Sequence, residues 1–412
     1  MKKMINFLKH YPYLVICIVA LVILFPPSIA SPPESDKRAI VTMTGFDLLE
    51  NNEIEVSVVM LSPIENANFE QNDTIVSAKG ETIGSALTNL SLHVGKPVGL
   101  AHNEAIVIGE RLAQSNLSDR LDNIARNRDI SNNIPIIICR GLAKNLITTS
   151  REISESTGLS ISELLFYNEE FIMSVNTTLE SFYKALFSPS KSVLVSCVYL
   201  DKEEQETSQN ESSSNDSKGQ ESSSNKGAQV DSLRNDGESS LIKNGKHVSY
   251  LDKNQTRGIC WVDHTASLGA IEVDNVNSKL LNNAKLHVSI RDKRVNKASY
   301  FENGKPVVKF VVTLAVQIKE IYQEGADKDI LNNNIHYLTD EVKKEIEHSI
   351  KEDFSSALAT LKEYNADVIG AYDLLYRNNK DEFKKYLSKL DNEDEYFDTI
   401  GFRFVVDCIE YK

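Results

Sequence analysis

The chain has 412 residues, with 45 Lys and Arg against 59 Asp and Glu and a formal charge of −14. Its hydrophobic residues (41%) and charged residues (25%) exclude a wholly disordered, collagen-like or multi-span membrane protein. The acidic balance argues against a nucleic-acid partner, whose phosphates need a basic face, and at roughly 100–200 residues per domain the length suggests a multi-domain chain.

Lys2, Lys3 and Lys9 precede a run from Leu14 to Phe25 in which every residue is apolar, and no acidic residue comes before Glu34. That is the layout of a secretory signal. Ser28 and Ala30 meet the small-x-small requirement for cleavage between Ala30 and Ser31. The competing reading is an uncleaved anchor. The uncharged stretch from Tyr11 to Pro33 has 23 residues, and at ~1.5 Å each a helix of that length reaches across ~30 Å of hydrocarbon. Pro26-Pro27 and Pro32-Pro33 weigh against so long a continuous helix, so residues 1–30 stand as signal peptide or N-terminal membrane anchor. Either way the lysines remain cytoplasmic and everything after Ser31 lies outside. A lipoprotein signal at Cys17 fails because the preceding Ile16 is not small. Cys139, Cys197, Cys260 and Cys408 form no CxxC pair and have no histidine at ligand spacing. They read as buried apolar residues, with no metal site and no obligatory disulfide.

From Arg38 the sequence alternates through Ala39 to Met43 and again through Ile54 to Met60, two strands joined by a turn at Asn51-Asn52. Thr82 opens an amphipathic helix with Ile83, Ala86, Leu87, Leu90 and Val94 on one face. A strand at Ala105 to Ile108 follows, then a helix carrying Leu112, Leu117, Leu121 and Ile124, then a strand at Ile134 to Cys139. Short helical patterns run from Gly141 to about Phe187, and Ser192 to Leu200 reads as one more strand. Residues 31–200 thus form a mixed domain of helices on one sheet, divisible into two lobes near 150.

Residues 201–240 differ in kind. They hold eleven Ser, ten acidic and four basic residues, no aromatic, and only Ala228, Val230 and Leu233 as apolar side chains. Such a segment buries too little surface to offset its conformational entropy and is expected to be a disordered insert. Order resumes through Ser249 to Val262, which carries the sequence's one tryptophan, Trp261. Strands at Leu286 to Val295 and Val307 to Ile321 flank a turn at Asn303 to Pro306. Thr339 then caps a long helix with Val342, Ile346, Ile350, Phe354, Ala357, Leu358 and Leu361 on one face. A shorter helix passes Phe383 to Leu387, and Tyr396 to Ile409 closes the chain as a strand. Residues 241–412 read as an antiparallel sheet with one long packed helix. The whole is α+β and multi-lobed.

No catalytic constellation stands out: the sequence has no G-x-S-x-G, no glycine-rich phosphate loop, no H-E-x-x-H and no calcium loop. His102, beside Glu104, is the strongest candidate base but has no nucleophile in view. Asp263 and His264, read as neighbours on a strand, point to opposite faces. The acidic run Asp391 to Glu395 reads as a solvated loop, and Trp261 reads as core. No cofactor is expected.

An ordered series of residues carries a family resemblance. It runs through Arg38-Ala39-Ile40-Val41 to Gly45 and Asp47, then Gly80-Glu81-Thr82-Ile83 with Asn89-Leu90-Ser91, then His102 with Val107-Ile108-Gly109-Glu110. Thr178-Leu179-Glu180-Ser181-Phe182, Ser188-Pro189 and Thr256-Arg257-Gly258-Ile259-Cys260-Trp261 follow. In these the chain resembles the GerC-type (GerAC) germination proteins, C subunits of bacterial spore nutrient-germinant receptors. The resemblance implies a three-lobed, non-enzymatic, extracytoplasmic subunit on the outer face of the inner spore membrane, partnered by two integral-membrane subunits of A and B type. The family's lipid-attachment cysteine, followed by Trp-Asp, is missing: that place reads Ser31-Pro32-Pro33-Glu34-Ser35-Asp36. Attachment is then expected through the uncleaved Leu14 to Phe25 run or through the partner subunits. Readings from other classes are an exported small-nutrient-binding protein, which needs a deep polar pocket, and a cell-wall hydrolase, which needs two facing carboxylates or a metal.

Overall fold

The computed structural model describes residues 38–61, 73–157, 175–201, 232–234, 236–263, 269–279, 281–324 and 338–411. Residues 1–37, with the Ala30–Ser31 junction, lie outside them, as do 202–231.

The first half is built on strands β1 (Ala39–Leu48), β2 (Ile54–Leu61), β3 (Asp73–Gly80), β4 (Val98–Gly99), β5 (Ala105–Gly109), β6 (Ile136–Arg140) and β7 (Ser192–Asp201). The helices are α1 (Ile83–Val94), α2 (Glu110–Ala113), α3 (Leu117–Arg120), α4 (Asp122–Arg126), α5 (Ala143–Thr157) and α6 (Leu179–Leu186). β1, β5, β6 and β7 run parallel, because a helical connection returns the chain to the same edge before each new strand. β2 and β3 continue the sheet antiparallel beyond β1. Parallel strands buried on both faces should read as continuous apolar runs, and β5 is Ala-Ile-Val-Ile-Gly, buried throughout. One face packs on α1, α2, α3, α4 and α6 through Ile83, Leu90, Leu112, Leu117, Ile124 and Phe182. The other face packs on α5 through Met43, Val107, Ile137 and Ile147.

The sheet does not respect the divisions drawn from composition. Residue 150 lies within α5, and β7, beyond it, pairs with β6, so one sheet spans the supposed lobe boundary. Strands β8 (Ser232–Arg234) and β9 (Ser239–Lys243) fall in the last part of the Ser-rich stretch, so order returns before residue 241. β9 and β10 (Lys246–Leu251) extend the first sheet from β7, although both follow the insert in the chain. The reason is burial: Leu241 and Ile242 are fully buried once β9 takes its place as the antiparallel neighbour of β7.

β8 pairs with the end of β7, Asp201 opposite Ser232, so residues 202–231 leave and rejoin the sheet side by side. Replacing residues 202–231 by Asn-Gly, a two-residue hairpin turn, should keep the fold and raise the unfolding free energy by about 1–2 kcal/mol, because a shorter loop costs less to close. A melting temperature below that of the parent would sink this expectation.

The second half begins with α7 (Lys253–Cys260). Asp252 accepts from Gln255 N at 2.8 Å and Gln255 Oε1 accepts from Asp252 N at 3.2 Å, a capping box that starts a helix. Trp261 is the residue that ends it. Strands β11 (Gly269–Val276), β12 (Ala284–Glu302) and β13 (Lys305–Tyr322) pair antiparallel in that order. Asn303 (φ 52°) and Gly304 (φ 76°) make the left-handed two-residue turn between the last two. The long helix α8 (Asp340–Glu363) carries the predicted Thr339 cap, which accepts from Val342 N at 3.3 Å. Short helices α9 (Ala371–Asn378), α10 (Lys380–Leu387) and α11 (Tyr396–Thr399) precede β14 (Gly401–Glu410). The final segment is therefore helix then strand, and β14 joins β13 parallel, because α8 to α11 form the crossover a parallel pair requires.

One core lies between this sheet and α8 and includes Trp261, Leu286, Val312, Ile346 and Val406. A second joins Phe310, Phe354, Leu375, Phe383 and Phe397 to Leu194, Leu241 and Leu251 of the first sheet. The halves thus share apolar contents. Among the described residues no helix is long and apolar enough to cross a membrane.

Candidate functional site

The residues singled out for chemistry do not converge. His102 is exposed in the turn before β5, and its buried neighbour Asn103 donates from Nδ2 to Thr44 Oγ1 at 3.0 Å. Asp263 is half-buried just past α7, and His264 lies outside the described residues. Asp391 to Glu395 is exposed and ends in a 3-10 turn capped by Asn392. Cys139, Cys197, Cys260 and Cys408 are buried and unlinked, and burial pushes the thiols of Cys197, Cys260 and Cys408 up to about 12. Thiols held so far up are not nucleophiles at neutral pH. Among the described residues no group of three His, Cys, Asp or Glu side chains is placed to hold a metal ion.

The structure instead gathers several of the family-resembling residues into two buried joints. In the first, Asp47 at the end of β1 is 2% exposed and accepts from Ala143 N at 2.8 Å and Lys144 N at 3.0 Å, the first two amides of α5. A carboxylate there supplies two of the acceptors a helix start lacks. Burial nevertheless raises its pKa, against the lowering effect of those two bonds. Lys144 Nζ reaches Glu55 at 3.0 Å beside it. Two glycines make the room: a Cβ on Gly109 would sit 2.0 Å from Asp47 Oδ1, and one on Gly45 would sit 2.5 Å from Ile147 Cδ1. Glu110, next in the chain, accepts from Gly141 N at 3.2 Å and from the Tyr250 hydroxyl at 2.9 Å, and Arg140 lies over the Tyr250 ring at 4.1 Å. These contacts fasten β10 to the ends of β5 and β6.

The second joint holds α7 against α8. Arg257 and Trp261, four apart and therefore on one face, converge on Asp353. The guanidinium donates from Nε to Oδ2 at 2.7 Å and from Nη2 to Oδ1 at 2.9 Å, and the indole Nε1 donates to Oδ2 at 3.2 Å. Gly258 lets the helices close up, since a Cβ there would lie 2.4 Å from the Asp353 carbonyl oxygen. Thr256 shares a 2.8 Å hydroxyl bond with Ser239 of β9, which ties this joint to the first sheet. Lys293, its pKa lowered by burial, donates to the Cys260 carbonyl at 2.7 Å. Spacing within Thr256 to Trp261 points to a shared face only once the segment is read as helix. The partner Asp353, 92 residues on from Trp261, had no local signal.

Two of the open concavities of the described residues border α7. A groove between the halves, about 400 Å³, has apolar walls of Val193, Ile259 and Ile369, with Thr177, Ser181 and Lys297 among its polar groups. Burial lowers the Lys297 pKa, and no histidine or cysteine is among the described residues lining the groove. A larger cleft, about 700 Å³, runs past Asp252, Glu272, Asp274, Glu345 and Glu352. Both are open to solvent, and neither brings a nucleophile to a base at bonding distance.

Comparison with known proteins covers both halves. Residues 32–200 match the family described as "Spore germination protein N-terminal domain", and residues 238–408 match "Spore germination B3/ GerAC like, C-terminal". The chain is 21% identical over 396 residues to spore germination protein KC of Bacillus subtilis (strain 168), covering 92% of this chain and 91% of that one. Its fold is similar to that in the crystal structure of the GerBC protein, with a TM-score of 0.52 and 16% identity over 90% of this chain and 97% of the other.

Proposed function

The chain belongs to the GerAC-type family of spore germination proteins, and from that premise we propose that it is the extracytoplasmic, non-enzymatic subunit of a nutrient-germinant receptor. On this reading it lies on the outer face of the inner spore membrane and docks on two integral-membrane subunits. It is required for germination triggered by a nutrient. The observation that supports a scaffolding role over a catalytic one is where the family-resembling residues go. Asp47, Gly109 and Glu110 cap and clasp secondary structure, and Arg257, Gly258 and Trp261 lock two helices around Asp353. Residues used in this way build a rigid body that presents surfaces. Deleting the gene and following spore germination across a panel of amino acids and sugars should slow at least one nutrient response roughly tenfold or more, a loss restored by the intact gene. Normal responses to every nutrient would overturn the proposal.

A further inference from the structure

The parallel strands β1, β5, β6 and β7 start at one edge of the first sheet, so the segments feeding them all finish there. α1 ends at this edge with Leu92 74% exposed, and α6 ends there with Phe187 79% exposed. No other large hydrophobic side chain of the described residues is as exposed as these two. Lys96, after α1, and Arg128, after α4, are exposed and have no ion-pair partner among the described residues; the exposed acids at this edge include Glu104, Asp129 and Asp394, which Lys191 before β7 reaches at 3.7 Å. Arg38 opens β1 at the same edge and pairs with Asp129 at 2.7 Å.

The described chain therefore begins at the edge that carries exposed apolar and basic side chains, on a molecule whose net charge is −14. Upstream lies the apolar run Leu14 to Phe25, separated from Arg38 by residues 26–37. Fully extended, that linker spans up to about 40 Å, so a tether alone does not fix which side of the domain faces the lipid. Apolar side chains flanked by basic ones are the composition that seats a protein in the interface of an anionic bilayer, burying the apolar groups among the headgroups.

We propose that this edge rests on an anionic lipid surface, with Leu92 and Phe187 entering the interface and Lys96 and Arg128 over the headgroups. The inference rests on the reading that the Leu14 to Phe25 run stays in the membrane.

Full-length protein carrying Leu92→Trp, Phe187→Trp or, on the opposite edge, Glu50→Trp, reconstituted into vesicles of phosphatidylcholine and phosphatidylglycerol with brominated acyl chains, tests it. Native Trp261 is fully buried and supplies the constant background and the folding control. Indoles at 92 and 187 should be quenched roughly twofold or more beyond the one at 50, and adding Lys96→Glu with Arg128→Glu should remove most of that difference. If the protein floats with the vesicles but positions 92 and 187 are quenched no more than position 50, the assigned edge is wrong while the membrane reading stands. If the protein does not float, the membrane reading fails and the proposal with it. Shielding of positions 92 and 187 from aqueous iodide without bromolipid quenching would mean that the edge meets protein, and would also overturn the proposal. Equal quenching with or without the charge reversals would overturn the role given to Lys96 and Arg128.

Discussion

Asp353→Ala should lower the unfolding free energy by about 3–5 kcal/mol, because it strands a guanidinium that has no other carboxylate partner among the described residues. Both side chains of the Arg257–Asp353 pair are only 8% exposed, and they meet through two hydrogen bonds of 2.7 and 2.9 Å. Removing the carboxylate leaves the Arg257 charge in the core with one remaining acceptor, Asn254 Oδ1 at 3.0 Å. It also leaves the Trp261 indole without its acceptor. Replacing both partners together, Arg257→Met with Asp353→Leu, should recover most of the loss, since an apolar pair of similar size needs no compensation. Urea unfolding of the parent, the single variant and the double variant measures this. A single variant within about 1 kcal/mol of the parent would show that the joint is not the clamp described.

Gly109→Ala is expected to cost about 2–4 kcal/mol, an outsized penalty for one methyl group. The added Cβ would stand 2.0 Å from Asp47 Oδ1, and the nearest backbone, the Gly141 carbonyl, closes the site at 3.3 Å. The carboxylate must swing away, and two buried amides at the start of α5 lose their acceptor. Because the effect acts through Asp47, Gly109→Ala added to Asp47→Ala should cost well under half of what it costs in the parent. Full additivity of the two changes, read by thermal or urea unfolding, would point to backbone strain at Gly109 instead.

Much of the architecture was legible because it rests on local patterns. The continuous apolar runs at Ala105 to Ile108 and Ile136 to Cys139 announced buried strands, and Thr339 with the face from Val342 to Leu361 announced α8. What failed was set at a distance. β9 and β10 look like the opening of the second half, but β9 pairs with β7, across the insert, and β10 with β9. β3 is an edge strand, paired with β2 along all of Asp73 to Gly80. Ile259 to Val262 alternates nothing. The helix Lys253–Cys260 follows from the cap at Asp252 and from packing on α8, which an apolar tetrapeptide cannot report. The site was legible as an ordered list of residues, and its meaning became clear only when Asp47 met α5 and Arg257 met Asp353.

The route of the chain through the first sheet also sets an order for biosynthesis. β7 gains its antiparallel neighbours only from β8 and β9, residues 232–243, so the first half cannot close its sheet when its own last strand emerges. The nascent chain must hold Leu194 and Val195, both buried in the finished protein, until some fifty further residues have been translated. On the proposed extracytoplasmic role, that delay would keep the leading portion unfinished during transit across the membrane, so that completion would wait for the far compartment.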